Sequence, residues 1–314
     1  MRIKLNLKCF FLILFLICLI NSHGQKKEPD PEKNPIKAMF FQRYLNIRSI
    51  VPSFNYFIKT HLLHHHKKYI SPLNKIGWQI TFEDNFDSIN KEKWRPGQPW
   101  GYFHDGSLHQ YHEEKNVTTK GGYLHLFGKF EPKEFLHKDS LIKIPYSIGL
   151  INSDISFKQK YGYFEIRSKN PTGPATLPAF WLTGANRWPP EIDIFEMYGK
   201  KTGKRIHKQV SSIHYGISKQ KSRGTLVRKI WLPKDTDTAF HVYACEWSPK
   251  FIKFYTDGVL IRKQRINKRL RYWMDDEMVI ILNNAFEAKY LKYLPKDFKG
   301  NAFVVDWIRV YKKL

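Results

Sequence analysis

The sequence has 314 residues, of which 42% are apolar and 16% aromatic, and its formal net charge is +25. This length and composition support a well-filled core, so disorder is excluded as the general state of the chain. The charge suits an anionic partner such as nucleic acid, an anionic membrane or wall, or an anionic polysaccharide, with a general lysine bias that serves solubility as the alternative. Because the lysines are scattered rather than clustered on one helix, we expect no nucleic-acid partner.

The first 24 residues are typical of a secretory signal peptide. Basic residues precede an apolar run and small residues follow it, in the order Arg2, Lys4, Lys8, Cys9 to Ile20, Ser22 and Gly24. The run is shorter than the ~20 residues that span a bilayer, so we expect cleavage near Gly24, with an uncleaved anchor as the alternative. Cleavage removes three positive charges and lowers the net charge from +25 to +22. We therefore expect a secreted or periplasmic protein without a membrane span.

Two of the three cysteines lie in this leader, so the remaining chain contains Cys245 alone and forms no internal disulfide. Cys245 lies in the strand-like segment "FHVYACEW", with no activating histidine or cation evident beside it. The sequence therefore predicts a buried, inert thiol rather than a nucleophile.

Residues 25–75 separate the leader from the domain that we predict at residues 76–314. They begin as a charged, proline-rich linker, "QKKEPDPEKNP", and continue as aromatic and basic sequence. Apolar residues at roughly helical spacing predict one or two short helices packed on the main domain. Adjacent histidines in the run 64–66 point in different directions and have no acid close by in the sequence, so we expect no functional metal site there.

From residue 76 onward, short apolar or alternating runs alternate with glycine, proline, asparagine and aspartate, as in "FHVYACEWS" and "MVIILNNAF". Such runs predict strands, and Asp257 with Gly258 in "YTDGVL" predicts a tight hairpin turn. Many short strands without alternating helices predict an all-β, antiparallel sandwich.

The stretch "WPPEIDIFEMYG" places three carboxylates, Glu191, Asp193 and Glu196, in six residues of an apolar run. In a regular strand the first two share a face and Glu196 points away. A single β-bulge between Asp193 and Glu196 brings all three to one face. Two long glutamates leaning inward can then place their carboxyl groups ~5 to 5.5 Å apart, the separation of a retaining glycosidase.

Crowding of these carboxylates has a chemical consequence. A partly buried cluster resists full ionisation, so at least one member should hold its proton near neutral pH. A general acid needs that proton, while its neighbour stays ionised as a nucleophile. A solvated acidic strand edge is the alternative, but the apolar residues between the acids favour an inner strand.

The segment "EIDIFE" resembles the Glu-x-Asp-x-x-Glu signature of glycoside hydrolase family 16, which contains laminarinases, agarases, carrageenases and porphyranases. Further segments follow the order of that family, among them "WQITFEDNFDSINKEKW", "INSDISFKQKYGYFEIRSKNP" and "VVDWIRVYK". The resemblance covers residues 76–314 and implies a concanavalin-like β-jelly-roll sandwich with a concave substrate cleft.

The resemblance also implies roles for the carboxylates. Glu191 is expected to be the nucleophile and Glu196 the acid/base, with Asp193 hydrogen-bonded to the nucleophile. Water then resolves a covalent glycosyl-enzyme with retention of configuration. This chemistry requires no cofactor.

Further residues are expected to bind substrate or metal by the same resemblance. Trp188, Trp181, Arg167 and His214 match positions that commonly line the cleft, although Trp181 in the core and His214 as an ordinary strand histidine are the alternatives. Asp306 matches an aspartate that often holds a structural Ca2+ on the convex side, with an ordinary hydrogen-bonded aspartate as the alternative.

These observations predict a monomeric, secreted, retaining endo-β-glycanase whose partner is a polysaccharide. A β-1,3-glucan of the laminarin type is the first expectation for the substrate. The charge and the basic segment "GKKTGKRIHKQ" after the carboxylate strand make a sulfated or anionic galactan the alternative. A non-catalytic carbohydrate-binding sandwich and a cationic binding protein are the rivals, and the sequence does not separate a hydrolase from a transglycosylase.

Overall fold

The computed structural model describes residues 49–62, 77–99, 101–103, 105–199, 208–216, 224–232 and 236–314. The predicted leader, the linker, the histidine run and residues 200–207 of the basic segment lie outside these ranges, so the expectations for them stay predictions. Within the described ranges, no helix has both the length and the apolar character needed to cross a membrane.

The described chain consists mainly of strands. In chain order they are β1 (Trp78–Asp84), β2 (Arg95–Pro96), β3 (Gln110–His112), β4 (Val117–Lys120), β5 (Tyr123–His137), β6 (Ser140–Ile148), β7 (Leu150–Asn152), β8 (Gly162–Lys169), β9 (Thr176–Gly184), β10 (Glu191–Met197), β11 (Lys208–Tyr215), β12 (Gly224–Trp231), β13 (His241–Trp247), β14 (Phe251–Thr256), β15 (Val259–Arg265), β16 (Met278–Phe286) and β17 (Gly300–Lys313). The described helical segments are short. They are an α-helix over residues 49–57 continued by a π-turn at Ile58–Leu62, the α-helix Lys268–Trp273, and the 3-10 turns Asp105–Ser107, Glu114–Asn116 and Ala288–Tyr293.

The strands form two sheets. A ten-stranded sheet has the order β15-β14-β13-β8-β17-β5-β6-β3, with β1 paired to β17 and β4 paired to β5. A seven-stranded sheet has the order β12-β11-β10-β9-β16-β7-β2. The pairings are antiparallel except for the parallel pair of β3 and β6. The predicted all-β antiparallel sandwich is therefore confirmed, whereas the concavity of its cleft stays a prediction.

Alternating side chains explain how the two sheets share one core. On β14 every second residue is buried, including Ile252 and Phe254, and on β8 Phe164 and Ile166 are fully buried. These side chains join a single apolar cluster with residues of the seven-stranded sheet such as Leu182. Removing such side chains from water stabilises the sandwich by about 1.5–3 kcal/mol each.

Cys245 lies in this core and is a free, fully buried thiol. Burial is the main cause that raises the pKa of the thiol, and the charge of neighbouring Glu246 raises it further. The expected burial of the thiol is therefore confirmed, and this burial disfavours the reactive thiolate.

The hairpin between β14 and β15 anchors the first described helix. Asp257 and Gly258 have φ values of 49° and 72°, which confirms the predicted tight turn. The Asp257 carboxylate accepts hydrogen bonds from the Tyr56 hydroxyl at 2.6 Å and the Val242 amide at 3.0 Å. The same carboxylate lies 2.8 Å from His241 Nδ1. The predicted packing of a short helix on the main domain is thus observed, with Tyr56 itself buried.

Removal of the Tyr56 hydroxyl should destabilise the fold. Burial alone raises the pKa of Asp257, but the hydrogen bond and charge of His241, followed by the Tyr56 hydroxyl, lower it overall. A carboxyl with a lowered folded-state pKa stabilises the protein above its unfolded pKa of ~3.9, and this stabilisation is lost as pH falls. We expect Tyr56→Phe to reduce the unfolding free energy by about 2 kcal/mol at pH 7, measured by urea denaturation.

The Tyr56→Phe effect should shrink as pH falls through the lowered pKa of Asp257, because the protonated carboxyl accepts a weaker bond. The matched control is Tyr272→Phe, which removes the same hydroxyl from a side chain that is exposed. Equal destabilisation by both variants, or none by Tyr56→Phe, would contradict the anchoring role.

Candidate active site

Strand β10 carries the three carboxylates, and a bulge brings them to one face. Asp193 pairs with Ser212 of β11, whereas Glu196 pairs with Val210, so three steps on β10 match two steps on β11. The pairing of β10 with β9 also shifts between Asp193 and Phe195. The predicted bulge is confirmed.

Burial of the apolar residues explains why the sequence adopts this irregularity. Ile192, Ile194, Phe195 and Met197 are all fully buried in the core cluster. A regular strand would place Phe195 and Met197 on the same face as Asp193. The bulge lets the apolar side chains point into the core while the carboxylates share the opposite face, which is called the carboxylate face below.

Glu191 is held by two ring nitrogens. Trp188 Nε1 donates to Glu191 Oε2 at 2.6 Å, and His214 Nε2 lies 3.3 Å from Glu191 Oε1. His214 Nε2 also lies 3.1 Å from Asp193 Oδ2, and Thr225 Oγ1 lies 2.9 Å from the other ring nitrogen. A proton on Nε2 satisfies both carboxylates, and the Thr225 hydroxyl then donates to Nδ1. The network fixes the orientation of the first two carboxylates.

Glu196 has a separate hydrogen-bond partner, Tyr198, which directly follows β10. The Tyr198 hydroxyl donates to Glu196 Oε1 at 2.9 Å. Burial raises the pKa of this hydroxyl well above its usual range, and the Glu196 charge raises it further, so Tyr198 remains a donor. Glu196 therefore has a different environment from Glu191, as expected for two carboxyls with different roles.

All three carboxyls have raised pKa values. Burial, followed by the charge of Asp193, raises the pKa of Glu191 to about 8, against the lowering effects of His214 and Trp188. Burial and then the charge of Glu196 raise the pKa of Asp193 well above its usual range. Burial is also the main cause that raises the pKa of Glu196, while Tyr198 lowers it. These raised pKa values agree with the expectation that at least one carboxyl holds its proton near neutral pH, and a hydrogen bond joins Glu191 to Asp193.

The two predicted tryptophans both lie by the carboxylates. Trp181 pairs with Asp193 across β9 and β10, which places it on the carboxylate face, and its Nε1 donates to Asn283 Oδ1 at 2.7 Å. Trp188 is 42% exposed and contacts Glu191 directly. The structure therefore brings together Trp181, Trp188 and His214 with the three carboxylates, as the sequence predicted.

The expectation that Arg167 lies with them is wrong. Arg167 belongs to β8 of the ten-stranded sheet, where its neighbours Ile166 and Ser168 are buried, so its own side chain points to the outer face. There its guanidinium donates to the Asp306 carboxylate and stacks 4.7 Å from the Phe240 ring centroid. Arg167 is thus on the other sheet, away from the carboxylate face.

The same contact bears on the calcium expected at Asp306. A guanidinium already lies against the Asp306 carboxylate, and its positive charge repels a cation. The residues present therefore do not fit a Ca2+ site at Asp306, which serves as an ion-pair partner instead. On the carboxylate face, ligand atoms of Glu191, Asp193 and His214 lie within 4.8 Å of one another, so these three residues have the spacing to hold a metal ion.

Sequence reasoning missed several polar residues of the site. They include Tyr198 on β10's end, Thr225 of β12, Ser212 of β11 and Asn283 of β16. Tyr198 had a usable signal, because it follows Glu196 by two residues and strand alternation places both on one face. The others lie on different strands, and only the strand pairing shows that they face the carboxylates.

Comparison with known proteins gives a consistent result. The sequence model of the family described as "Beta-porphyranase A-D, GH16 domain" matches residues 78–313. The chain is 29% identical over 262 residues to the "Beta-glucanase" of Rhodothermus marinus, with 75% of this chain and 85% of that protein covered. It is 28% identical over 325 residues to the "Keratan-sulfate endo-1,4-beta-galactosidase" of Sphingobacterium multivorum, with 96% of this chain and 67% of that protein covered.

A solved structure extends the likeness to three dimensions. The laminarinase catalytic domain from Thermotoga maritima MSB8 superposes with a TM-score of 0.60 at 25% identity, covering 76% of this chain and 99% of that chain. The family match extends over both sheets and includes the bulged carboxylate strand. The chain therefore belongs to glycoside hydrolase family 16 and is a glycoside hydrolase.

Proposed function

We propose that the protein is a retaining endo-β-glycanase that acts on a sulfated or otherwise anionic galactan. The observation that carries the catalytic part is the single face shared by Glu191, Asp193 and Glu196, with the two glutamates held by different partners. Membership of the family supports an endo-acting glycanase. The predicted leader supports export to the periplasm or the cell exterior.

Each carboxyl has a distinct task in this mechanism. Glu191, oriented by Trp188 and His214, bonds to the anomeric carbon as the glycosidic C–O bond breaks, and the proton that Glu191 shares with Asp193 stays on Asp193. Glu196 gives its proton to the departing glycosidic oxygen. Deprotonated Glu196 then takes a proton from water, which attacks the glycosyl-enzyme from the opposite side and restores the original configuration.

The substrate class rests on charge and on the family match. The formal charge, which is +25 for the full chain and 25 − 3 = +22 without the predicted leader, favours a polyanion, and the matching family is described by its porphyranases. The keratan-sulfate endo-galactosidase, a relative whose match covers almost all of this chain, is also named for a sulfated polysaccharide and for cleavage at galactose. These observations favour the galactan over the β-1,3-glucan that was the first expectation from sequence.

A β-1,3-glucan is the second candidate for the substrate. The likeness to a β-glucanase and to a laminarinase structure favours it. The two candidates differ in charge, so a substrate panel separates them.

Cleavage of a substrate panel tests the proposed function. Reducing ends released from porphyran, agarose, carrageenan, laminarin and mixed-linkage glucan are measured for the purified protein and its Glu191→Ala variant. We expect cleavage of a sulfated galactan by the wild type and at least about a 10³-fold loss in the variant, because no nucleophile remains. Glu92→Ala, which removes an exposed carboxylate, is the matched control and should retain activity.

Two results of the panel would count against the proposal. Wild-type-like turnover by Glu191→Ala would exclude Glu191 as the nucleophile. Cleavage confined to laminarin or mixed-linkage glucan would replace the galactan by the second candidate.

The stereochemistry of the first product tests retention. Proton NMR during early turnover should show the β anomer of the new reducing end before mutarotation, because two displacements restore the starting configuration. An α anomer at the earliest time points would indicate a single displacement by water and would overturn the double-displacement mechanism.

Removal of the Tyr198 hydroxyl should shift the pH profile. Activity is lost as pH rises through the pKa of the acid Glu196, and the Tyr198 hydrogen bond lowers that pKa. In Tyr198→Phe the pKa rises further, so we expect the basic limb of kcat/KM to move to higher pH.

A variant that should shift the pKa of Glu196 in the opposite direction provides the control for Tyr198→Phe. The charge of Glu287 raises the pKa of Glu196, so Glu287→Gln should move the basic limb to lower pH. A shift of both variants in the same direction would show that Glu196 does not set this limb.

A further inference from the structure

A lysine lies at the Glu196 side of the carboxylate face and is not used by the mechanism above. Lys289 belongs to the 3-10 turn Ala288–Tyr293, which follows β16. Its Nζ lies 5.6 Å from the centroid of the Tyr198 ring, and the Tyr198 hydroxyl bonds to Glu196. The Tyr198 side chain therefore connects Lys289 to Glu196, the acid/base.

The ammonium of Lys289 is available to a ligand. Its side chain is 61% exposed, and its ion pair with Glu287 at 3.0 Å lies partly in solvent. Exposed ion pairs of this kind contribute little to stability. An ammonium has three donors, so Lys289 can contact a second anion while it keeps Glu287.

A second lysine and an exposed aromatic ring lie on the same face. Val210 of β11 pairs with Glu196, and Lys208 is two residues further along β11, so it shares the face about 7 Å away. Lys208 pairs across the strands with Trp231, and its Nζ lies 3.9 Å from the centroid of that ring. Trp231 is 41% exposed.

An aromatic ring with a lysine beside it can bind a sugar that carries a negative charge. The flat face of an aromatic ring packs on the apolar CH groups of a sugar ring, and an ammonium beside it bonds to an anionic substituent. Tyr198 with Lys289, and Trp231 with Lys208, provide this combination twice on the Glu196 side of the face. Within the described residues, Lys289 is the lysine whose contacts lead directly to Glu196 through Tyr198.

We propose that Lys289, with the ring of Tyr198, recognises the sulfate ester of a sugar unit bound beside Glu196. This assignment rests on the proposed function and names the residue that gives it specificity. The sulfate oxygens accept hydrogen bonds from Nζ, and Lys289 thereby orients the sugar unit next to the acid/base without taking part in proton transfer.

The test compares one substrate with and without its charge. Galactan oligosaccharides prepared from porphyran are assayed before and after chemical desulfation, with the full chain as wild type, Lys289→Ala and Lys292→Ala. We expect Lys289→Ala to lower the ratio of kcat/KM for sulfated over desulfated substrate about tenfold, mainly through KM, because one charge-assisted contact is lost. Lys292 lies on the same turn, with its Nζ over the Tyr293 ring, and Lys292→Ala should leave the ratio unchanged.

The outcomes separate this proposal from the proposed function. An unchanged ratio in Lys289→Ala, whether or not overall activity falls, would overturn sulfate recognition while leaving the galactanase intact. An equal loss on both substrates with a displaced pH profile would show that Lys289 acts on Glu196 through Glu287 and would also overturn it. A wild type that cuts laminarin and neither galactan substrate would overturn the proposed function together with this assignment.

Discussion

The bulge in β10 is the constraint on which the active site depends. Without it, Phe195 and Met197 would have to leave the core, or Glu196 would have to enter it. Either alternative costs several kcal/mol, because a large apolar side chain is worth about 1.5–3 kcal/mol when buried and an unpaired buried charge costs more. One bulge therefore meets two requirements, burial of the apolar side chains and a shared face for the carboxylates. A substitution in the core is expected to disturb the site, and the reverse.

The second constraint is the choice of hydrogen-bond donors for the three buried carboxylates, because a basic protein offers many cationic side chains that would ionise them. The surrounding groups that contact the carboxylates are neutral or weakly basic donors, namely Trp188, His214 and Tyr198. Arg262 acts on Asp193 from a distance, because its own donors are used by backbone and hydroxyl oxygens. A direct arginine or lysine partner would ionise a carboxyl fully, whereas these partners leave protons available for transfer.

Sequence reasoning predicted the fold class and the bulge because these depend on local order along the chain, whereas the roles of the carboxylates rest on the family resemblance and stay a prediction. The pattern from Glu191 to Glu196 contains both the apolar residues that require burial and the acids that must avoid it. Arg167 and Asp306 are 139 residues apart, and their pairing depends on which strands become neighbours and which face each side chain takes. Nothing in the local sequence around either residue carries that information.

The sheet order has a further consequence, for folding kinetics. Strand β1 pairs with β17, so Trp78 lies opposite Lys313, at the two ends of the matched domain. β17 also separates β8 from β5, which makes the last strand of the domain an inner strand of the larger sheet. The sheet therefore cannot close until synthesis has produced its final residues, and such non-local pairing is typical of β proteins that fold in about milliseconds to seconds. Until then the edges of β8 and β5 have no partner, and these edges are where aggregation of the nascent chain would begin.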